Sequence, residues 1–162
     1  MKTIASVITA GAILSGGAYL TPLAARQTAH VIQSPTEAQW GTAPPMLPAG
    51  AQIAVLAGDP TKPVAYAVRL KFPANYAIPA HSHPTDEHVV VSSGALMIGM
   101  GDKLMKGAAS SKTLGVGGFA LMPANMNHFA YTSQETTIVL YGQGPVEFKY
   151  VNPSDDPRMG KK

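Results

Sequence analysis

From residue 51 onward, apolar and polar residues alternate in short stretches that glycine and proline separate. The clearest stretch is 64–72, where Val64 and every second residue after it are apolar, while Arg69 and Lys71 occupy alternate positions. Neighbouring side chains of a strand point to opposite faces, so this pattern predicts a strand with one buried face. By the same criterion we predict strands at 52–57, 76–83, 87–91, 96–100, 119–122, 129–132, 136–143 and 146–151.

Many short strands between turn residues are typical of an all-β sandwich or barrel. No strand–helix–strand rhythm and no internal repeat occurs in the sequence. The stretch 103–114 lacks alternation, so we expect a short helix or a mobile loop there. The pattern therefore predicts one all-β domain over residues 51–152, followed by a tail at 153–162 that is rich in turn residues.

The first fifty residues lack this pattern. Residues 1–25 resemble a secretory signal, with Lys2 before a weakly apolar run and small residues at Ala24 and Ala25 for cleavage. The alternative is an uncleaved membrane anchor, although the run is short for a bilayer span. We therefore expect a secreted or periplasmic protein, exported through the Sec route because no twin arginine is present.

Residues 26–50 form an N-terminal extension of the predicted domain. The stretch 33–40 predicts one strand or one turn of helix. The stretch 41–50 contains three prolines and two glycines and predicts a loop. Trp40, the only tryptophan, is expected to anchor packing.

Composition narrows the classes of function. The chain has 162 residues, of which 46% are apolar and 13% charged, with a formal net charge of +3. No basic run occurs, so nothing indicates nucleic-acid binding. The absence of cysteine excludes disulfides, thiolate metal sites and cysteine nucleophiles.

The candidate chemistry lies in two histidine-containing stretches. His81 and His83 are two residues apart, so in a strand they project from the same face. Glu87 follows beyond a Pro-Thr-Asp break, and His128 comes from a distant strand. Three imidazoles and a carboxylate suit iron, manganese, nickel, copper, cobalt or zinc. His88 should point to the opposite face and take no part.

These stretches resemble the two motifs of the cupin superfamily. The run His-x-His-x-x-x-Glu-x-x-x-x-x-x-Gly, from His81 to Gly94, is similar to the first motif, and Gly117, Pro123 and His128 have the spacing of the second. The resemblance implies a single-domain cupin, that is, a double-stranded β-helix or jelly-roll barrel. It also implies one divalent transition metal held by His81, His83, Glu87 and His128.

Three positions depart from the motifs. Asn75 and Asn125 replace glycines, and Thr132 replaces the asparagine that usually closes the second motif. Because asparagine tolerates a left-handed backbone, we expect the first two changes to preserve the turns. None of the departures affects a predicted metal ligand.

The walls of the predicted site are assigned from the apolar positions of neighbouring strands. The pocket candidates are Tyr66, Met97, Phe119, Met126, Phe129 and Tyr141. Tyr76 and Tyr131 are candidates for a catalytic acid or hydrogen-bond donor. Arg69 is expected to be solvated, but pointing inward it would bind a carboxylate substrate.

Two classes of function follow from the resemblance. The first is a metal-dependent enzyme acting on a small organic molecule, foremost an oxidoreductase of the dioxygenase type. The alternatives are a metal-dependent isomerase or lyase, or a non-catalytic cupin that binds a metal or small ligand, similar to the cupin domain of zinc-binding anti-sigma factors. Exposed edge strands and thin surface charge also predict a homodimer.

Overall fold

The computed structural model of the chain describes residues 30–160. The predicted signal segment, 1–25, lies outside the described residues. Within the described part, no helix is both long and apolar enough to cross a membrane.

Residues 30–160 form eleven β-strands and three short 3-10 helices. The strands are β1 (Gly41–Thr42), β2 (Gln52–Ala57), β3 (Ala65–Phe72), β4 (Ala77–Ser82), β5 (Glu87–Ser93), β6 (Leu96–Met100), β7 (Ser111–Leu114), β8 (Phe119–Met122), β9 (His128–Thr132), β10 (Thr136–Gln143) and β11 (Lys149–Tyr150). The 3-10 helices are Pro35–Glu37, Pro153–Asp155 and Pro157–Met159. Every predicted strand is present, and β2, β6, β8 and β10 have the predicted bounds.

Three local predictions need correction. The stretch 103–114 ends in strand β7, because its backbone pairs with β6 from Leu96 to Gly99. The predicted strand 146–151 shortens to β11, since the Val146 amide donates to the Pro60 carbonyl instead of to a neighbouring strand. The predicted loop 41–50 begins with β1, which pairs with β2.

The strands form two antiparallel sheets. The six-stranded sheet has the order β1-β2-β3-β10-β5-β8, and the five-stranded sheet has the order β11-β4-β9-β6-β7. Strands β4 and β5, which carry the first histidine stretch, therefore lie in different sheets. A site built from both strands must lie between the sheets.

The main hydrophobic core fills that space. The inward residues of β3 are those that alternation predicted: Tyr66, Val68, Leu70 and Phe72. They share one buried cluster with residues of the other sheet, among them Ile78. The burial of one face of each sheet supplies most of the driving force for this packing.

A second, smaller cluster lies on the outer face of the five-stranded sheet. Phe129 and Tyr131 of β9 pack there with Leu104 from the loop between β6 and β7. The Tyr131 hydroxyl accepts a hydrogen bond of 2.9 Å from the Gly107 amide. Gly99 leaves room for Phe129, because an added Cβ would lie 2.4 Å from its ring. All five residues of β9 are therefore buried, which holds His128 rigidly at its start.

Candidate metal centre

The three predicted histidine ligands come together at one end of the five-stranded sheet. His81 near the end of β4 is paired directly with His128 at the start of β9. His83 follows β4, and its ring centroid lies 4.9 Å from that of His81 and 5.2 Å from that of His128. The three imidazoles offer nitrogen atoms that all lie within 4.8 Å of one another.

Glu87 reaches the same point from the opposite sheet. It is the first residue of β5, and its carboxylate oxygens lie 3.3 Å from Nε2 of His83 and 3.6 Å from Nε2 of His128. Two contacts tie the turns that carry these residues. The Ala124 amide donates to Asp86 at 2.8 Å, and the Asn125 amide donates to the His83 carbonyl at 2.7 Å.

The two asparagines that replace motif glycines keep the backbone of those turns. Asn75 and Asn125 both have φ of 61°. This left-handed conformation is the one that asparagine tolerates best after glycine. The expectation that these departures preserve the turns is confirmed.

Backbone carbonyls fix the protonation pattern of the imidazoles. Nδ1 of His81, His83 and His128 lies 2.7, 2.8 and 3.0 Å from the carbonyls of Pro79, Glu147 and Met126 respectively. Because a carbonyl can only accept, each Nδ1 donates its proton, so in the neutral ring the lone pair is on Nε2. This second contact is the usual way in which proteins orient a metal-binding histidine.

Two of these lone pairs are buried without a partner. Nε2 of His83 and of His128 has no hydrogen bond to any group of residues 30–160. Buried polar atoms nearly always have a hydrogen-bond partner in native proteins. These two nitrogen atoms therefore indicate a bound ligand that accepts an electron pair. Nitrogen donors at this separation, with a carboxylate beside them, fit a divalent transition metal.

Burial also favours the charge state that a metal needs. Burial, with His128 and His83 adding to it, lowers the pKa of His81 to about 3 and keeps its imidazole neutral. Burial alone would raise the pKa of Glu87, but the neighbouring His128 and His83 outweigh it and hold that pKa below its usual value. The His81 imidazole is thus neutral and stands beside an ionised Glu87 carboxylate.

Phe148 is a site residue that the sequence analysis missed. Its ring stacks on His81 at 4.6 Å between centroids and meets His83 edge-on at 4.5 Å. The residue before it supplies the carbonyl that orients His83. A signal was present in the sequence, because Val146, Phe148 and Tyr150 alternate with polar residues and so share one face.

An apolar cavity lies against the inward face of the six-stranded sheet, with Glu87 in its lining. A space of about 80 Å³ is bounded by Glu87 and Phe148 and continues among aliphatic side chains. Tyr66 is part of this lining. Burial, followed by the charge of Glu87, raises the pKa of Tyr66, so its hydroxyl keeps its proton.

Most of the predicted pocket residues lie elsewhere. Of the six, only Tyr66 lines this cavity. Phe119 and Tyr141 are 53% and 38% exposed, because their positions in β8 and β10 place them on the outer face of the six-stranded sheet. Met126 is exposed in the turn before β9, and Met97 and Phe129 belong to the smaller cluster described above.

The two candidate catalytic tyrosines are also corrected. The Tyr76 hydroxyl donates to the Pro48 carbonyl, and its ring stacks on Phe72. Tyr131 holds Gly107 on the far face of the five-stranded sheet. Neither side chain lines the cavity beside the imidazoles. Both are occupied in packing, which single-strand alternation could not reveal.

Arg69 and His88 behave as the sequence predicted. Arg69 lies on the outer side of β3 and approaches the Pro35 carbonyl at 3.5 Å. His88 points away from Glu87 and stacks on Tyr141, with centroids 4.8 Å apart. Neither contributes to the cluster of imidazoles.

Comparisons with known proteins support the fold. No protein-family model matches the chain, and no curated protein matches it. Among solved structures, the polyketide cyclase RemF of Streptomyces resistomycificus is similar with a TM-score of 0.61 and 16% identity, over 80% of this chain and 90% of that one. A candidate acetylacetone dioxygenase of Methylibium petroleiphilum matches with a TM-score of 0.60 and 16% identity, over 81% and 87%.

A third similar structure is itself described as a cupin. An RmlC-like cupin of Shewanella frigidimarina matches with a TM-score of 0.55 and 14% identity, over 72% of this chain and 91% of that one. The anti-sigma factor ChrR of Rhodobacter sphaeroides, solved with SigE, also matches, but its TM-score of 0.49 is too low to bear on function. The chain has the cupin jelly-roll fold, as its motifs predicted.

Proposed function

We propose that this protein is a metal-dependent cupin enzyme that acts on a small organic molecule, with an oxidoreductase of the dioxygenase type as the leading reaction class. One observation carries the proposal. The buried Nε2 atoms of His83 and His128, which have no hydrogen-bond partner, lie beside the Glu87 carboxylate, and Glu87 also borders an apolar cavity.

Some groups of the site would hold the metal, and others orient or shield the metal-binding rings. His81, His83, His128 and Glu87 would hold the metal, which could be iron, manganese, nickel, copper or zinc. When bound, a metal of this kind polarises an oxygen ligand and, if redox-active, exchanges electrons with it. The carbonyls of Pro79, Glu147 and Met126 fix the rings, and Phe148 shields His81 and His83 from water.

The neighbours with enzyme names support the proposal only through the fold. One is described as a polyketide cyclase and the other as a candidate acetylacetone dioxygenase, both at 16% identity. Because one fold hosts many reactions, the site has to carry the assignment. A dioxygenase needs a redox-active metal and room for a substrate beside it, and this site supplies the ligands and the cavity.

Oxygen uptake tests the reaction class. Protein loaded with ferrous iron under anaerobic conditions is mixed with acetylacetone in air-saturated buffer, and oxygen is followed with an electrode. We expect uptake in proportion to the acetylacetone consumed, and none from a His83→Ala variant treated alike. Substrate conversion without oxygen uptake would favour an isomerase or lyase. Binding without conversion would favour a non-catalytic cupin.

We propose in addition that the protein is exported and that it forms a homodimer. Export rests on the sequence of residues 1–25 alone. Protein recovered from the periplasm or medium should begin near Arg26 by mass spectrometry, and an intact Met1 would refute cleavage.

A further inference from the structure

We propose that the substrate is a small, uncharged, mostly apolar molecule, and that the Tyr66 hydroxyl positions it by donating a hydrogen bond. This inference rests on the metal-dependent function proposed above. It concerns which molecule fits beside the metal, and three observations about the cavity carry it.

The first observation is the position of Tyr66. In the six-stranded sheet, Gly142 of β10 is paired with Tyr66 on one side and with Glu87 on the other. All three belong to the inward-facing positions of their strands. A Cβ added to Gly142 would lie 3.5 Å from the Tyr66 hydroxyl oxygen, so this hydroxyl extends over the glycine between the two side chains. The missing side chain at Gly142 leaves the hydroxyl beside the proposed metal ligand.

The second observation is that this hydroxyl is free to bind. The hydroxyls of Tyr76, Tyr131 and Tyr150 each bond to a backbone group. Within residues 30–160, the Tyr66 hydroxyl has no such partner, although the residue is only 7% exposed. The hydroxyl oxygen is not fully buried, but a tyrosine hydroxyl among apolar side chains usually finds a partner, so a ligand in the cavity would be an acceptor for it.

The third observation is the charge and polarity of the cavity. Its aliphatic and aromatic lining includes Met46, Ile53, Val68, Leu140, Val146 and Phe148. Glu87 is its only charged side chain, and no lysine or arginine of the described chain lines it. A carboxylate or phosphate needs such a partner when it is buried, because an unpaired buried charge is very costly.

The net charge of the metal-loaded site also argues against a substrate with a second anionic group. A divalent metal held beside one carboxylate would leave one positive charge, which would balance at most one oxygen of the neutral molecule that loses its proton on binding. A second anionic group farther inside would have no counterion. The space of about 80 Å³ corresponds to roughly six water-sized groups, which suits a short hydrocarbon arm.

A matched pair of probes tests the substrate class. Heptane-2,4-dione and succinylacetone share a metal-chelating dione head, but succinylacetone ends in a carboxylate where the former ends in a methyl group. Both are titrated calorimetrically into the zinc-loaded protein, in which redox turnover is absent. We expect the neutral dione to bind at least about tenfold more tightly. Equal or tighter binding of succinylacetone, or no binding of either to the loaded protein, would overturn the inference.

Two variants test the role of Tyr66 in the same assay. Tyr66→Phe keeps the ring and removes the hydroxyl, and we expect it to weaken dione binding about tenfold, the usual worth of one hydrogen bond. Its zinc content should be unchanged. Tyr141→Phe removes a hydroxyl from the outer face and should bind like the wild type. Unchanged affinity in Tyr66→Phe would remove the positioning role.

Metal content separates the two proposals. Each preparation is analysed for zinc before titration. A protein that takes up no stoichiometric zinc would refute the metal-dependent function and this inference with it. A fully loaded protein that prefers succinylacetone would refute the substrate class and leave the metal site standing.

Discussion

His83 and His88 show how neighbouring residues of one type acquire different roles. His83 donates through Nδ1 to the Glu147 carbonyl and turns Nε2 toward Glu87. His88 lies one residue past Glu87 and therefore on the opposite face of β5, where it stacks on Tyr141. Alternation along β5 therefore turns His88 away from Glu87 and the three clustered histidines.

This difference gives a paired prediction. His83→Ala should abolish the rise in melting temperature that added zinc produces in the wild type, because a ligand stabilises only the state that binds it. Zinc at about a hundred times its dissociation constant adds about 2.7 kcal/mol. His88→Ala should retain the full rise. Differential scanning fluorimetry with zinc and with a chelator measures both, and equal zinc-dependent shifts in the two variants would contradict the ligand assignment.

At the scale of single residues, the sequence predicted the cluster of three histidines better than the walls of the pocket. Spacing alone brought His81 and His83 to one face, and their proximity to His128 followed from the motifs. The pocket depends on which face each strand turns inward. Irregular pairing between Ile78 and His81, and the inward turn of Phe148, arise from contacts between distant strands that no local pattern contains.

At the scale of elements, the segment 44–48 closes one side of the cavity. Met46 and Leu47 line the space beside Glu87. Two tyrosine hydroxyls hold the segment. Tyr150 of β11 donates to the Met46 carbonyl at 2.7 Å, and Tyr76, which precedes β4, donates to the Pro48 carbonyl. These two hydrogen bonds therefore fix an irregular, proline-containing segment as one wall of the cavity.

Removing one of these bonds should loosen that wall. Tyr150→Phe keeps the ring and deletes the donor, so the amides of 46–50 should exchange hydrogen faster by about fivefold to tenfold, as expected for one hydrogen bond of about 1 kcal/mol. Tyr141→Phe, on the outer face, serves as the matched control. Hydrogen exchange read by mass spectrometry checks this, and unchanged exchange in Tyr150→Phe would mean that other contacts hold the segment.

Elements were predictable where alternation was strong. Strands β2, β6, β8 and β10 have the bounds that the pattern indicated. Strand β7 was missed because Ser111–Leu114 holds no buried residue and owes its conformation to pairing with β6. An exposed edge strand of this kind has no local hydrophobic signal.

At the scale of the whole molecule, the outer face of the six-stranded sheet carries an apolar area. Tyr141 of β10, His88 of β5 and Leu121 of β8 are paired in one row, and Phe119 lies in the next. Phe119 and Leu121 are 53% and 46% exposed. Exposed apolar area beside an edge strand favours association, so we propose this face as the homodimer contact.

Charge introduced on this face should then separate the subunits. The wild type should show a dimer mass by light scattering at micromolar concentration, and Leu121→Glu should show a monomer mass, because the new charge would be buried in the contact. Met105→Glu alters an equally exposed apolar residue in the loop before β7 and should stay dimeric. A wild-type monomer would refute the dimer, and a dimeric Leu121→Glu would refute this contact.

The account depends most on the metal site, and elemental analysis of the purified protein tests it most directly. Wild-type protein and a His83→Ala/His128→Ala double variant are each loaded with zinc, dialysed and analysed for metal. We predict about one metal ion per chain in the wild type and almost none in the double variant, since the variant removes both buried Nε2 atoms that lack a partner. A wild type without stoichiometric metal, or a double variant that retains it, would contradict the assignment of this cluster as the metal centre.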